Sequence, residues 1–123
     1  RQGTKDMFNV FLSTNRKFDC VICNNDEMAL GVIDALKENK IDPSTVPIVG
    51  IDATAEGCKA ISDGSMKFTV FQSAQGQSKS AVDAAIQLGS GGTLSNVENV
   101  TQDGKHIWVP FEKVDKNNVS KYS

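Results

Sequence analysis

Short apolar runs alternate with helical segments along most of this 123-residue chain, and this alternation constrains its fold most strongly. The runs "FDCVIC", "PIVGID" and "KFTVFQ" have the length and residue types of short buried strands. Between the first two, "DEMALGVIDALKENK" carries Ala29, Val32, Ile33 and Leu36 at helical spacing. Because parallel strands need crossover connections that are usually helical, the pattern predicts an α/β sandwich around a parallel sheet.

Further helices are predicted on either side of this region. "TKDMFNVFLST" places Met7, Phe8, Phe11 and Leu12 at helical spacing, and "TAEGCKAISDG" predicts a short helix that stops at Gly64. "AQGQSKSAVDAAIQLG" predicts a fourth helix, and its inward positions are Ala81, Val82, Ala85 and Leu88. The last third predicts two strands around the turn at 103–104 and then a polar tail.

Polar side chains follow each of the three predicted strands. Asn24, Asn25 and Asp26 follow the first, Asp52 the second and Gln72 the third. In an open α/β sheet, ligands bind beyond the carboxyl ends of the strands. Carboxylates and amides hydrogen-bond hydroxyl groups, and no glycine-rich phosphate loop with a following lysine is present. The sequence therefore predicts a site for a neutral polyol at this sheet edge.

Each of these polar residues also has an ordinary structural explanation. One residue of "NND" is expected to cap the following helix, and we favour Asp26 or Asn24 as the cap and Asn25 as the ligand contact. Asp52 could instead cap the next helix. It is the shared position at three strand ends that favours the ligand site.

Charge, apolar patterning and motifs argue against several functions. The net charge of -2 and the scattered lysines and arginines give no basic stripe, which argues against nucleic acid. No apolar stretch is long enough to cross a bilayer. The only histidine, His106, has no nucleophile motif beside it, and Asp26 and Glu27 are adjacent and do not form an acid–base pair. We therefore expect a protein that is not an enzyme.

The cysteines and two aromatic residues are expected to be structural. On a strand, Cys20 and Cys23 point to opposite faces, and Cys58 has no cysteine near it in sequence, so all three are expected to act as small apolar residues and not as metal ligands. Trp108 and Phe71 could stack on a sugar ring, but core or interface packing is the expected role of both.

The segments "VICNNDEMALGVIDALKE", "VPIVGIDAT", "GSMKFTVFQ" and "VPFEKVDKNN" occur in this order along the chain. Together they resemble the carboxyl-terminal part of periplasmic-type sugar-binding proteins, the solute receptors of ABC importers. The galactose/glucose-binding group is the most similar, and the ribose-binding group comes next. In this family two α/β lobes close on one monosaccharide.

The resemblance also implies which residues bind. Asn25, Asp52 and Gln72 match the positions from which the carboxyl-terminal lobe contacts sugar. Hexose receptors usually have Asn at the third position and ribose receptors have Gln, whereas the "VPFEKVDKNN" tail is similar to the hexose group. In hexose receptors a calcium site takes one acidic ligand that matches Asp19, and its other ligands are expected upstream of Arg1.

The resemblance further implies that residues 1–123 are a carboxyl-terminal fragment in which residues 73–107 belong to the partner lobe. The expected partners are a monosaccharide, an ABC permease and a chemoreceptor that reads the closed form. The expected location is the periplasm or, through an upstream anchor, the cell surface as a lipoprotein. Alone, the chain is expected to bind sugar weakly or to form a swapped dimer.

One alternative remains open from the sequence. The sugar-sensing effector domain of a LacI-type transcription repressor shares the fold. Such a chain needs a helix-turn-helix segment upstream and usually lacks the "VDKNN" tail that is present here.

Overall fold

The structure, a computed structural model, describes residues 1–122. Within these residues, four α-helices and four β-strands follow one another: α1 (Gln2–Ser13), β1 (Val21–Ile22), α2 (Asp26–Glu38), β2 (Ile48–Val49), α3 (Ala55–Asp63), β3 (Phe68–Gln72), α4 (Ala74–Gly89) and β4 (Phe111–Asp115). The predicted helices and the first three predicted strands all form, although β1 and β2 are shorter than predicted.

The strands form one sheet in the order β1-β2-β3-β4. β1 pairs with β2 in parallel, with Val21 opposite Ile48, and β2 pairs with β3 in parallel, with Val49 opposite Phe68. Helices α2 and α3 make the crossover connections between these strands. The predicted α/β fold around a parallel sheet is therefore confirmed.

The chain divides into two compact units. The first comprises residues 1–71 and 112–122, and the second comprises residues 72–111. The second unit thus covers the segment 73–107 that the resemblance assigns to a partner lobe, and that assignment stays a prediction.

The core of the first unit forms around α2. Ala29, Val32, Ile33 and Leu36, the four residues of the predicted stripe, are all buried. They pack with Ile48 and Val114 of the sheet, with Ile61 of α3 and with Met66 in the loop between α3 and β3. Because α2 buries one face against the sheet, its amino-terminal end is held firmly at the carboxyl edge of β1.

Helix α1 packs on α2 at a point where a side chain is missing. A Cβ atom built on Gly31 would lie 2.5 Å from the carbonyl oxygen of Arg1 and 3.1 Å from Cβ of Thr4. Further along α1, Phe8 packs edge to face on Phe18, with ring centroids 5.6 Å apart. Only glycine therefore lets the two helices approach this closely.

The second unit departs from the sequence prediction in two ways. Ala81, Val82, Ala85 and Leu88 were predicted inward, but all four are exposed. The prediction is wrong for this unit because α4 has no sheet within residues 72–111 to pack against. None of the described residues of α4 is fully buried.

The predicted strands around the turn at 103–104 are also absent from the described residues. A single antiparallel bridge between Val100 and Ile107 stands in their place. Asn99 has φ 63, a left-handed conformation that interrupts the first arm. The predicted polar tail instead contains β4, where Val114 is fully buried.

Candidate functional site

A backbone hydrogen bond joins the first two strand ends. The Asp26 N–H donates to the carbonyl oxygen of Ile51 at 2.8 Å. Asn25 directly precedes one partner of this bond, and Asp52 directly follows the other. The structure therefore brings Asn25 and Asp52 to the same edge of the sheet, as the strand-end argument predicts.

Asn25 is the N-cap of α2. Its side-chain oxygen accepts a hydrogen bond from the Met28 N–H at 2.8 Å. The prediction that Asp26 or Asn24 caps this helix is wrong, because the Asp26 side chain turns into the protein and Asn24 is exposed. The Asn25 amide nitrogen makes no hydrogen bond to any described residue, so both of its donors are available to a ligand.

Asp26 is the first residue of α2 and is completely buried. One carboxylate oxygen accepts from the Thr54 N–H at 2.8 Å and from the Thr54 hydroxyl at 3.2 Å. The other accepts from the Thr69 hydroxyl at 2.6 Å. Asp26 therefore links the start of α2 to the loop after β2 and to β3.

Two glycines make room for this carboxylate. A Cβ atom added to Gly50 in the strand end, or to Gly57 in the first turn of α3, would overlap an Asp26 carboxylate oxygen. The sheet, α2 and α3 therefore approach one another closely around the buried carboxylate of Asp26.

The loop after β2 has an unusual backbone. Asp52 has φ 116 and Ala53 has φ 53, so two consecutive residues other than glycine have positive φ. Such conformations persist only where the surroundings hold them, and they concentrate at functional sites. Thr54 caps α3 by accepting from the Gly57 N–H at 3.1 Å, so the alternative that Asp52 caps this helix is wrong.

The Asp52 carboxylate makes no hydrogen bond to a described residue. Its backbone N–H donates to the Val70 carbonyl oxygen at 2.8 Å, which fixes the main chain and leaves the side chain unpaired. Burial, and then the negative charge of Asp26, raise the pKa of Asp52. Asp52 is thus an acceptor without a protein donor.

Gln72 is the last residue of β3, as the sequence predicts, and it belongs to the second unit. Its role as a ligand residue stays a prediction. Next to it, Phe71 packs on Tyr122 with ring centroids 5.0 Å apart, which confirms a packing role for Phe71. Trp108 is 67% exposed, so it is not in a core.

Acidic and cysteine side chains do not cluster at a metal-binding spacing within residues 1–122. No group of three or more His, Cys, Asp or Glu side chains there could hold a metal ion. Asp19 is exposed, and the described residues do not by themselves form a calcium site around it. The three cysteines are free; Cys23 and Cys58 are buried as expected, whereas Cys20 is exposed.

Sequence reasoning missed the part that Asp26 plays. Its position directly before an apolar helix suggests a cap, and the hydroxyls of Thr54 and Thr69 that bind it lie 28 and 43 residues away. The signals available in the sequence were two glycines. Gly50 stands at a strand end, where a β-branched residue would also suit, and Gly57 stands in the first turn of a helix, where a longer side chain would also suit.

The periplasmic binding protein domain family matches residues 2–93 of this chain. A protein named as a rhizopine-binding protein of Rhizobium meliloti is 39% identical over 117 residues, which cover 95% of this chain and 35% of that protein. The D-galactose/methyl-galactoside binding periplasmic protein of Haemophilus influenzae is 30% identical over 120 residues, covering 96% of this chain and 35% of that protein.

A solved structure has the same fold. It is an ABC transporter solute binding protein from Bacillus halodurans with bound myo-inositol, with a TM-score of 0.79 and 34% identity over 97% of this chain. The chain spans only 38% of that protein and 35% of the two relatives above. The family match extends over well more than half of this chain, and the α/β sheet matches one lobe of the solved fold. The chain therefore belongs to the periplasmic binding protein family.

Proposed function

We propose that this chain is the carboxyl-terminal, ligand-contacting part of an extracytoplasmic receptor that binds a monosaccharide or related cyclic polyol for an ABC permease. Membership of a family of binding proteins supports a role in binding and not in catalysis. The relatives and the solved structure are named for a rhizopine, a galactoside and myo-inositol. Galactosides and myo-inositol are rings that carry several hydroxyl groups, which fits the amide and carboxylate at the strand ends.

The observation that carries the proposal is the unpaired carboxylate of Asp52. It lies in the loop that follows β2, its main chain is fixed, and no described residue donates to it. A carboxylate can accept from two neighbouring hydroxyls of one sugar ring. The Asn25 amide adds donors beside it, and Gln72 at the end of β3 is proposed as the third contact.

In the proposed mechanism a second lobe closes over the bound ring. Closure removes water from the polar contacts, so the hydroxyls of the ligand replace water at Asn25 and Asp52. Only the closed form presents the correct combined surface to a permease or a chemoreceptor. Galactose, glucose and ribose are the sugars that we propose first, because the segments quoted above are similar to those receptor groups.

The first experiment measures thermal unfolding of the full gene product that carries this chain. A panel of galactose, glucose, ribose, xylose and myo-inositol is added, each in large excess. A ligand at a hundred times its dissociation constant adds ~2.7 kcal/mol to the free energy of unfolding. If no compound on the panel raises the unfolding midpoint, the proposed function is wrong.

A second experiment tests the site with the ligand identified by the panel. Asp52→Ala removes a charged hydrogen-bond acceptor and is expected to weaken binding by ~1.5–3 kcal/mol in titration calorimetry. Asp63→Ala is the matched control, since Asp63 is an exposed aspartate of the same unit whose carboxylate bonds only to Ser65. Equal affinity of the Asp52 variant and the control would remove Asp52 from the site.

A further inference from the structure

The Asp26 carboxylate holds the loop that carries Asp52, although it cannot itself reach a ligand. Asp26 is completely buried, and its two oxygens are occupied by Thr54 and Thr69. Both donors belong to other elements than α2. Its position therefore indicates a role in arranging the neighbouring strand end.

The hydrogen bonds around Asp26 restrain the backbone of the loop at successive positions. The Thr54 N–H donates directly to Asp26 at 2.8 Å. The Ala53 N–H donates at 3.3 Å to the Thr69 hydroxyl, and this hydroxyl donates to Asp26. The Asp52 N–H donates to Val70. Three consecutive backbone donors are thus fixed, two of them through Asp26.

This restraint coincides with the two positive φ angles at Asp52 and Ala53. Residues other than glycine keep such angles only when their surroundings outweigh the local preference for other conformations. The direct bond to Thr54 and the relay through Thr69 supply that support. Without them, the loop would be free to rotate towards a conformation that moves the Asp52 side chain.

We propose that Asp26 is a positioning residue of the polyol site, which holds residues Asp52–Thr54 in the conformation that leaves the Asp52 carboxylate unpaired at the sheet edge. This inference rests on the proposed function for its ligand. It assigns to Asp26 an effect on affinity that passes through the loop and involves no contact with the ligand.

The charge of Asp26 has a second effect on the same site. All of its hydrogen-bond donors are neutral groups, so no cation bonded to it offsets the charge. The pKa of Asp52 is raised by burial and by this charge. Cys58 is also affected: its thiol lies 3.7 Å from the Ala53 carbonyl oxygen, and its pKa is raised by burial and by the charge of Asp26.

The test uses Asp26→Asn, which keeps the size of the side chain but replaces one acceptor oxygen by a donor. One of the bonds from Thr54 or Thr69 is then lost. We expect the affinity of the full gene product for its best panel ligand to fall by about tenfold or more, equivalent to ~1.4 kcal/mol. In the ligand-free protein we expect faster hydrogen exchange at the Ala53 and Thr54 amides and a lower pKa of Asp52 by NMR titration.

The matched control is Asp63→Asn, which removes an exposed carboxylate of the same unit that bonds only to Ser65. It should change neither the affinity nor the loop amides. A purely structural role for Asp26 would raise exchange throughout α2, whereas a positioning role confines the faster exchange to the loop amides of Ala53 and Thr54. Affinity within about twofold of wild type, or unchanged exchange at Ala53 and Thr54, would overturn the inference and leave the proposed function standing.

Two further outcomes of these experiments also bear on the inference. If the wild-type protein binds nothing on the panel, the proposed function is wrong, and with it any effect of Asp26 on affinity. If Asp26→Asn does not fold, Thr69→Val removes the hydroxyl that relays Ala53 to Asp26 and donates to the Asp26 carboxylate, and Thr69→Ser restores both hydrogen bonds. Loss of affinity in the valine variant with recovery in the serine variant supports the inference, and equal affinities of the two refute it.

Discussion

Replacement of Gly31 by alanine should destabilise the protein, although alanine is the better helix former. Gly31 lies in α2 where α1 crosses it, and an added Cβ atom would lie 2.5 Å from the Arg1 carbonyl oxygen and 3.2 Å from the Lys5 backbone nitrogen. Both of these neighbours are backbone atoms, so no flexible side chain can move aside. The whole of α1 has to shift.

The size of the effect follows from two opposing contributions. Alanine in a helix interior gains about 1 kcal/mol over glycine. To reach an ordinary contact distance, α1 must move away by roughly 1 Å, and a gap of that size forfeits about a quarter to a half of the dispersion attraction of the separated atoms. Overpacking of this kind costs ~1–3 kcal/mol. Because the clash involves backbone, we place the cost at the upper end and expect a net loss of ~1–2 kcal/mol.

Urea-induced unfolding of the purified protein, followed by circular dichroism, measures the difference. Gly3→Ala is the matched control, since Gly3 lies in α1 with no atom within 4 Å of an added Cβ. The control should stabilise the protein by up to about 1 kcal/mol. If Gly31→Ala stabilised the protein as much as the control does, the close approach of α1 and α2 would not be a feature of the folded protein.

Substitutions at three other residues have expected outcomes. Asn25→Ala should lower the free energy of unfolding by ~1 kcal/mol in urea unfolding and weaken polyol binding in titration calorimetry. Asn25→Ser should keep the stability but not the affinity, because serine caps the helix but has no amide. The pKa of Asp52 is raised in the folded state, so deprotonation of Asp52 lowers the stability of the protein as the pH rises through this raised pKa. Asp52→Asn should therefore raise the thermal midpoint at pH 7 but not at about pH 2. The hydrogen bond from Arg1 lowers the pKa of Asp34, so the Arg1–Asp34 pair stabilises the folded protein above the ordinary pKa of aspartate and loses this effect as the pH falls. Because the pair is partly exposed, Asp34→Asn should lower the free energy of unfolding by less than ~1 kcal/mol in urea at pH 7. A larger loss for Asp34→Asn, or an unchanged midpoint for Asp52→Asn at pH 7, would contradict the reasoning.

The sequence predicts the first unit well because its periodicity reports burial directly. Ala29, Val32 and Leu36 recur at helical spacing only because one face of α2 lies against the sheet. The same spacing misleads in α4, where Leu88 and Val82 are more than half exposed. Periodicity shows that a helix has an apolar face, but it does not show which surface covers that face.

The sequence pattern does not predict β4, for a related reason. Phe111–Asp115 contains a single fully buried residue, Val114, among charged neighbours. An edge strand of this kind has no apolar run and resembles a polar tail. Its place beside β3 in the sheet is decided by contacts far away in sequence, which local patterns do not record.

The candidate site shows where local rules reach their limit. Strand ends and polar residue types locate Asn25 and Asp52 at one edge, because the topology of a parallel sheet brings its carboxyl ends together. The cap was assigned to the wrong residue of "NND" because Asn24, Asn25 and Asp26 are all good caps by residue type. What decides among them is the pair of hydroxyls from the half-buried Thr54 and the buried Thr69 that bind the Asp26 carboxylate.

Capping and ligand binding need not compete at Asn25, because they use different atoms. The cap occupies the side-chain oxygen through the Met28 N–H, and this bond orients the amide plane. The nitrogen on the same plane is then held in one direction before any ligand arrives, so little side-chain entropy is lost on binding. Asp52 gains the same advantage from its restrained backbone and Asp26. The residues that stabilise the helix starts therefore also prepare the donors and acceptors of the proposed site, and a variant such as Asn25→Ser, which keeps the cap and removes the amide, should separate the two roles.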